Sequence, residues 1–359
     1  MLNSDKRYQS ICGLLLGTAI GDALCQPQGA PTRKLALRKF ARRDLRYRLW
    51  PGLGLYTDDT QLALMAGQAV LQSRSHSSAF HKHFQRRLKW YAFGLPVGCT
   101  RSTFLASLKT WLSICGVKSG CWSAGSAPAT RALLLGVVLH NTGHRYLVWS
   151  RDSAETTHLH PLAADGAGVL ATAAQVAAVT SSARLNPESA LEAIGRAAKE
   201  DELRNALVQL QPFLQRNSSP RAVVKHFKWE GGISRAMLPT TVMAVYCFLR
   251  YPQNFRRAVK WALIISGKND TLPAVVGGLV GAHIGVSALP AELVEDLGDW
   301  PHDRAWIERL ALRLADWPHG VDDLLVAPAL AAYPLAQILR NLFRWPLVTV
   351  HKLIGMLRP

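Results

Sequence analysis

The sequence predicts an all-α protein, and three observations support that prediction. Apolar residues recur at spacings of three and four along most of the chain, which is the period of an amphipathic helix. Runs that alternate apolar and polar residues, as half-buried strands do, are nearly absent. Proline and glycine cluster between the periodic segments, at 27–31, 51–54 and 94–98, where they mark turns.

Each helix is predicted from its own spacing of apolar residues. The predicted segments are 8–24, 58–73, 78–91, 102–115, 128–140, 161–180, 188–199, 203–214, 236–250, 254–265, 270–286, 302–316 and 333–356. No linker is long or biased enough to divide the chain, so we predict one compact multi-helix domain over residues 1–320.

Residues 321–359 are predicted to form an amphipathic, basic C-terminal extension. Its Leu, Ile, Phe and Trp residues are mixed with Arg and Lys. Such a segment most often packs back on its own domain or on a partner, and the alternative is that it lies on a membrane surface. Pro334 and Pro346 argue against one straight helix here.

Composition narrows the range of partners. Only 18% of the 359 residues are charged, which argues against intrinsic disorder. The 42 Lys and Arg against 24 Asp and Glu give a formal net charge of +18, which favours phosphate esters, nucleic acid or an anionic membrane face. The six cysteines form no Cys-x-x-Cys pair, so we expect neither a zinc ribbon nor a disulfide scaffold. We therefore predict a location in the reducing cytoplasm.

The N-terminal apolar run at 11–20 resembles a signal peptide only superficially. Gly13 and Gly17 interrupt the run, Asp22 closes the segment, and no small-x-small cleavage site lies in the right place. No uninterrupted apolar stretch reaches about 18 residues, so we predict no transmembrane helix.

Two predicted helices carry glycines at intervals of four. The two sets are Gly13, Gly17 and Gly21, and Gly277, Gly281 and Gly285. Residues four apart lie on one face of a helix, where missing side chains let another backbone approach closely. We therefore expect these two helices to pack tightly in the centre of the molecule, and we assign the glycines a structural role.

Two turns that open helices combine aspartate with threonine, Thr57-Asp58-Asp59-Thr60 and Asn269-Asp270-Thr271. The simpler interpretation is an N-cap, with Thr57 capping its helix and two carboxylates at the positive end of the dipole. The alternative is a cation site, because carboxylates and threonine hydroxyls are hard ligands of the kind that Mg²⁺ takes. Two such turns in a chain with few acids favour one shared site.

Several short motifs follow one another between residues 10 and 290. They are Gly17–Leu24, Thr57–Thr60, Gly125–Arg131, Thr157–Pro161, Gly232-Ile233, Tyr246–Leu249, Asp270-Thr271 and Gly281-Ala282. In these motifs and their order the chain resembles the ADP-ribosylglycohydrolase family, all-α hydrolases that include the dinitrogenase reductase-activating glycohydrolases. Each motif alone is a weak signal, but the ordered set is specific.

The resemblance implies a reaction and a metal centre. Such an enzyme binds the distal ribose diol of ADP-ribose at a binuclear magnesium centre, and a water polarised by the metal attacks the anomeric carbon through an oxocarbenium-like transition state. Residue by residue, it implies that Thr57, Asp58, Asp59, Asp270 and Thr271 are metal ligands. Asp58 and Asp59 are then the catalytic carboxylates, because either could act as a base on water.

The same resemblance implies where substrate binds. Ser123, Gly125 and Ser126 lie where a loop holds the pyrophosphate and ribose. His158 matches a histidine that contacts substrate, although a lone histidine is more often a structural group. Gly232 and Ile233 fall where the adenosine end packs.

Three positions depart from the family's pattern. Lys268 stands where the first aspartate of the second acidic turn belongs, and a cationic ammonium cannot ligate a metal ion. We therefore expect one Mg²⁺ ion rather than two, with Lys268 as a fixed positive charge in the substrate site. A glutamate expected at about Gly29 is missing, and Ser126-Ala127 replaces the usual Asn-Gly.

Residues 33–48 contain eight Lys and Arg opposed by Asp44 alone. One interpretation is a solvated basic helix, and the other is a docking surface for an acidic modified protein or a nucleic-acid backbone.

Three function hypotheses follow. The favoured one is an ADP-ribosyl hydrolase that removes ADP-ribose from a modified protein side chain by metal-assisted hydrolysis at the distal ribose. The second is a catalytically impaired protein that binds ADP-ribose in the same pocket. The third is a basic binding protein for acidic partners or nucleic acid. Metal-dependent turnover distinguishes the first from the other two.

Overall fold

A computed structural model describes residues 4–26, 44–73, 76–94, 96–112, 118–180, 185–267, 269–318 and 332–357. In these ranges the chain folds into α-helices without a β-sheet, and isolated β-bridges join a few loops. The predicted all-α fold class is therefore confirmed.

The helices are numbered here in chain order. They are α1 (Ser4–Cys25), α2 (Asp58–Gln72), α3 (Ser77–Tyr91), α4 (Arg101–Leu112), α5 (Ala129–Val138), α6 (Arg145–Glu155), α7 (Pro161–Val179), α8 (Pro187–Gly195), α9 (Asp201–Val208), α10 (Gln211–Gln215), α11 (Pro220–His226), α12 (Met237–Arg250), α13 (Phe255–Ile265), α14 (Thr271–Ile284), α15 (Ala291–Glu295), α16 (Arg304–Asp316) and α17 (Ala332–Leu357). Short 3-10 turns lie at Ala92–Gly94 and Val286–Ala288.

The predicted helices are present with shifted ends, one predicted segment is divided, and α6, α11 and α15 match no predicted segment. The segment predicted at 203–214 is two short helices, α9 and α10. Helix α6 is not predicted from the sequence, because its buried face includes Ser150 and Ser153 and so lacks a clear apolar period.

Helices α1 and α14 cross antiparallel at the centre of the molecule, as the glycine spacing predicts. Gly13 faces Gly281, Gly17 faces Gly277, and Gly21 faces Pro273. A Cβ atom on any of these three α1 glycines would overlap the backbone of α14. This contact places Asp22, in the last turn of α1, beside the N-terminus of α14.

Helix α17 is continuous through Pro346, so the two prolines do not divide it. Pro334 lies in the first turn, where a missing N–H breaks no helical hydrogen bond. The helix packs with its polar side inward, and the buried residues there are Gln337, Arg340, Asn341 and Arg344. The large apolar residues that are more than half exposed are Leu335, Leu339, Leu342, Phe343 and Val350. The boundary at residue 320 stays a prediction.

Two helices are long and apolar enough to cross a membrane by length and composition alone, α1 over Asp5–Cys25 and α7 over Pro161–Val179. In the most apolar 18-residue window of each helix, 89% and 78% of the residues are buried in the fold. Burial to this extent is also what core helices show, so the finding does not distinguish the two possibilities.

Candidate active site

Asp22 holds the first acidic turn through four hydrogen bonds. The backbone N–H groups of Thr57 and Thr60 donate to its Oδ2 at 2.8 and 3.2 Å, and the two hydroxyls donate to its carboxylate at 2.6 and 2.7 Å. Thr57 is the N-cap residue of α2, but its side chain makes no capping bond. Thr57 thus takes the N-cap position, with Asp58 and Asp59 in the first turn, but its hydroxyl is directed to Asp22 and does not cap the helix.

Asp58, Asp59 and Asp270 form a buried cluster of carboxylates with Asp22. Burial, together with the charges of Asp270 and Asp22, raises the pKa of Asp58 to about 8. Burial and then the charge of Asp58 raise the pKa of Asp59, although a hydrogen bond with Thr271 opposes the change. Burial raises the pKa of Asp270 to about 6. The structure thus brings the five predicted metal-ligand residues to one place.

Arg235 pairs with this cluster, and the sequence analysis missed it. Its guanidinium donates to Asp270 Oδ2 at 2.8 Å, and its side chain is 34% exposed. The loop before α12 carries it there, because Ser126 N donates to Arg235 O at 2.9 Å and Gly125 pairs with Ala236 in an antiparallel bridge. The sequence gives no signal for it, because one arginine near a glycine motif belongs to no recognisable spacing of functional residues.

The cluster offers oxygen atoms of the kind that Mg²⁺ takes as ligands. Asp59 Oδ1 is buried and has no hydrogen-bond partner, and a Cβ at Gly98 would come within 3.0 Å of Asp58 Oδ1, so glycine leaves space there. No three His, Cys, Asp or Glu side chains of the described ranges form a ready-made metal site. Mg²⁺ commonly takes only one or two carboxylates and completes its shell with water or substrate, which Asp58 and Asp59 can provide for.

The loop that contains Ser123, Gly125 and Ser126 lies against His158. Gly125 N donates to Ser123 Oγ at 3.2 Å, and a Cβ at Gly125 would come within 2.9 Å of His158 Nε2. Cys121 pairs with His158 in a parallel bridge, which fixes the loop to the segment before α7. The structure therefore brings these four predicted residues together.

His158 is neutral and is held by its neighbour Thr157. Its Nδ1 lies 2.8 Å from Thr157 Oγ1, which also accepts a hydrogen bond from Arg131. Burial and the charge of Arg131 lower the pKa of His158 to about 3. His158 Nε2 is buried with no hydrogen-bond partner on the side that faces Gly125, so one ring nitrogen remains for a ligand.

Gly232 and Ile233 lie in the turn before α12. Gly232 has a φ of +109°, and a Cβ there would come within 3.0 Å of Gly267 Cα, so glycine is required by both backbone and space. Ile233 is buried and donates from its N–H to Ile265 O at 3.1 Å. A pocket beside this turn is lined by Arg221, Val224, Trp229, Glu230, Gly232, Ile264, Ile265 and Gly267.

Some predictions lie outside the described residues. They concern Lys268, Gly29 and residues 33–43 of the basic segment. The roles given to them, the number of metal ions and the cytoplasmic location stay predictions.

The fold is thus all-α, and its two acidic turns are gathered at one buried point. The sequence profile of the family described as ADP-ribosylglycohydrolase matches residues 3–322. The chain therefore belongs to the ADP-ribosylglycohydrolase family, and this membership supports a glycohydrolase type of function.

A solved structure described as an ADP-ribosylglycohydrolase-related protein complex has the same fold. It aligns with a TM-score of 0.65 at 24% identity and covers 87% of this chain and 98% of its own. No curated protein matches the chain significantly.

Proposed function

We propose that this protein is an ADP-ribosyl hydrolase that removes ADP-ribose from a modified protein side chain. It would hydrolyse the glycosidic bond at the distal ribose, with one Mg²⁺ ion held by Asp58 and Asp59 and by the oxygens of Thr57, Asp270 and Thr271. The observation that carries the proposal is the buried carboxylate cluster, whose raised pKa values mean that a bound cation would stabilise it.

Each side chain of the acidic cluster has its own role in the proposed hydrolysis. When bound, Mg²⁺ supplies a positive charge that makes a neighbouring water more acidic and orients sugar hydroxyls. Asp58 or Asp59 would accept the proton of the attacking water, because both carboxylates lie in the same buried cluster where the metal ion is proposed to bind. Asp22 keeps both carboxylates in place through Thr57 and Thr60.

Two further groups suit the substrate. His158 Nε2 lies beside the Ser123–Ser126 loop and can form a hydrogen bond with the sugar or the pyrophosphate. The exposed part of the Arg235 guanidinium attracts the pyrophosphate, and the net charge of +18 acts in the same direction at long range.

The test is release of free ADP-ribose, measured by mass spectrometry, from arginine-, serine- and nucleic-acid-linked conjugates. Each conjugate is incubated with Mg²⁺ and with a chelator. We expect metal-dependent release from a protein-linked conjugate, lost in the Asp58→Ala, Asp59→Ala double variant. The matched control is Asp201→Ala, which removes an aspartate from a surface ion pair. No release from any conjugate would contradict the proposal.

A binding protein without turnover is the second candidate, and the Arg235–Asp270 ion pair favours it. A permanent cation at the carboxylates reduces their need for a metal ion. In that case ADP-ribose binds with equal affinity in Mg²⁺ and in chelator, measured by calorimetry, and no conjugate is cleaved.

A further inference from the structure

Helix α17 reaches the first acidic turn through two buried arginines. Arg340 and Arg344 are four residues apart and so lie on one face of the helix, with side chains 4% and 1% exposed. Both belong to the segment beyond residue 322, where the match to the family profile ends.

The two arginines hold the backbone immediately before Thr57. The carbonyl oxygen of Tyr56 accepts hydrogen bonds from Arg340, at 2.7 Å, and from Arg344. The carbonyl oxygen of Leu55 accepts another from Arg344 at 3.2 Å. These bonds fix the two peptide groups that lead into the N-terminus of α2.

Asp299 completes the arrangement from the other side. It accepts the Tyr56 N–H at 3.0 Å and Arg340 Nε at 2.7 Å, and it also pairs with Arg344. Burial alone would raise the pKa of Asp299, but the two arginines hold it below its usual value, so this carboxylate is ionised. Both polar groups of the Tyr56 backbone therefore have charged partners.

The chain from Leu55 to Thr60 is consequently fixed from two directions. Asp22 binds Thr57 and Thr60, and the arginines bind Leu55 and Tyr56. A small displacement of backbone at a catalytic group lowers rate strongly, even when the substituted residue lies elsewhere.

We propose that Arg340 and Arg344 are positioning residues, which hold the Leu55-Tyr56 backbone so that Asp58 and Asp59 keep their places in the site. The proposal rests on the proposed hydrolase function for its kinetic test. Amide exchange of the same backbone gives a second test that does not need activity.

The experiment compares three variants of the full chain, Arg344→Met, Arg344→Lys and Arg151→Met. Met removes the donors but keeps an unbranched side chain, and Lys restores one charged donor. Arg151 is the control, because it also makes a mostly buried ion pair, with Asp165, and bonds Ala197 O, away from the acidic turn.

We expect Arg344→Met to lower kcat about 10- to 100-fold with KM changed by less than about 3-fold. Arg344→Lys should recover part of the loss, and Arg151→Met should keep kcat within about 3-fold of the parent. Exchange of the peptide that covers residues 55–61, followed by mass spectrometry, should quicken about tenfold in Arg344→Met and stay unchanged in Arg151→Met.

A purely structural role predicts a different pattern. If Arg344→Met and Arg151→Met lower Tm alike, with equal kcat and equal exchange at residues 55–61, the positioning proposal is overturned. If Arg344→Met does not fold, the Arg344→Lys variant decides by the same two measurements. If the parent protein releases no ADP-ribose, the hydrolase proposal fails and the exchange result alone decides the positioning proposal.

Discussion

Two buried clusters of charge lie on either side of Tyr56, and they are built differently. Asp299 is paired with two arginines, which hold its pKa below the usual value. Asp58 is equally enclosed, yet its pKa rises to about 8. Among the described residues, the salt bridge of the acidic cluster is the one between Arg235 and Asp270. Burial is common to both clusters, so the opposite pKa shifts of Asp299 and Asp58 follow from the number of cationic side chains paired with each cluster.

The cluster around Asp299 therefore has a structural role, whereas the cluster around Asp58 is suited to binding a ligand. A carboxylate with internal cations is complete without a ligand, and its role is to hold other groups in place. Carboxylates that lack enough cations hold protons or recruit a positive partner.

The largest expected effect is on turnover. Asp59→Asn should lower the rate of ADP-ribose release about 10²- to 10⁴-fold, because it removes the charge and the basicity of the carboxylate whose Oδ1 has no internal partner. The measurement is the initial rate with saturating Mg²⁺, with Asp201→Asn as the control. A rate within about 3-fold of the parent would remove Asp59 from the chemistry.

The next effect is on stability and has opposite signs in the two clusters. Asp299→Asn should destabilise the fold by about 3–5 kcal/mol, because it leaves Arg340 and Arg344 buried without a counter-charge. Asp58→Asn should stabilise the metal-free protein at about pH 8, because it removes a charge that burial disfavours. Urea unfolding followed by circular dichroism measures both. Loss of stability in both variants would contradict the distinction.

A pH dependence follows from the raised pKa of Asp58. The folded state binds its proton more tightly than the unfolded state, so stability of the metal-free protein falls as pH rises from about 4 to about 8. Each pKa unit corresponds to about 1.4 kcal/mol. Mg²⁺ should therefore raise Tm more at about pH 8.5 than at about pH 6, since it binds the ionised carboxylates. Equal increases at both pH values would count against a metal site here.

The smallest expected effect is on the affinity for Mg²⁺ and concerns Arg235, the cationic side chain already paired with the acidic cluster. Arg235→Gln should strengthen Mg²⁺ binding about 3- to 10-fold, because a positive charge at Asp270 Oδ2 is removed. Calorimetry on the metal-free protein measures this, with Arg256→Gln at the surface pair with Glu292 as the control. Weaker binding would mean that Arg235 orients Asp270 instead of competing with the metal ion.

Much of the fold and part of the site could be predicted from the sequence, for a physical reason. The spacing of Gly13, Gly17 and Gly21 predicts a tight helix crossing, because helical period and side-chain size are local properties. The turns at Thr57 and Asp270 predict one shared cluster because each is a short motif at a helix start.

The rest depends on pairings that no local pattern records. Arg340 and Tyr56 are 284 residues apart, and neither lies in a motif. An amphipathic helix is ordinarily read with its charges toward water, whereas α17 turns Arg340 and Arg344 inward. Asp299 and the carbonyl oxygens of Leu55 and Tyr56 make that orientation favourable, and the fold alone brings them to α17.

The crossing of α1 and α14 has a consequence for how this protein tolerates change. A contact between side chains absorbs a substitution by changing rotamers, but the backbone contact at Gly17 and Gly277 has no rotamers to change. In a library of single substitutions selected only for soluble expression, variants substituted at these glycines should be depleted. Variants substituted at Asp58 and Asp59 should persist in the same selection. A second selection for turnover should deplete the variants substituted at the two aspartates as well. The difference between the two selections would map, residue by residue, which parts of the chain the scaffold requires and which the chemistry requires.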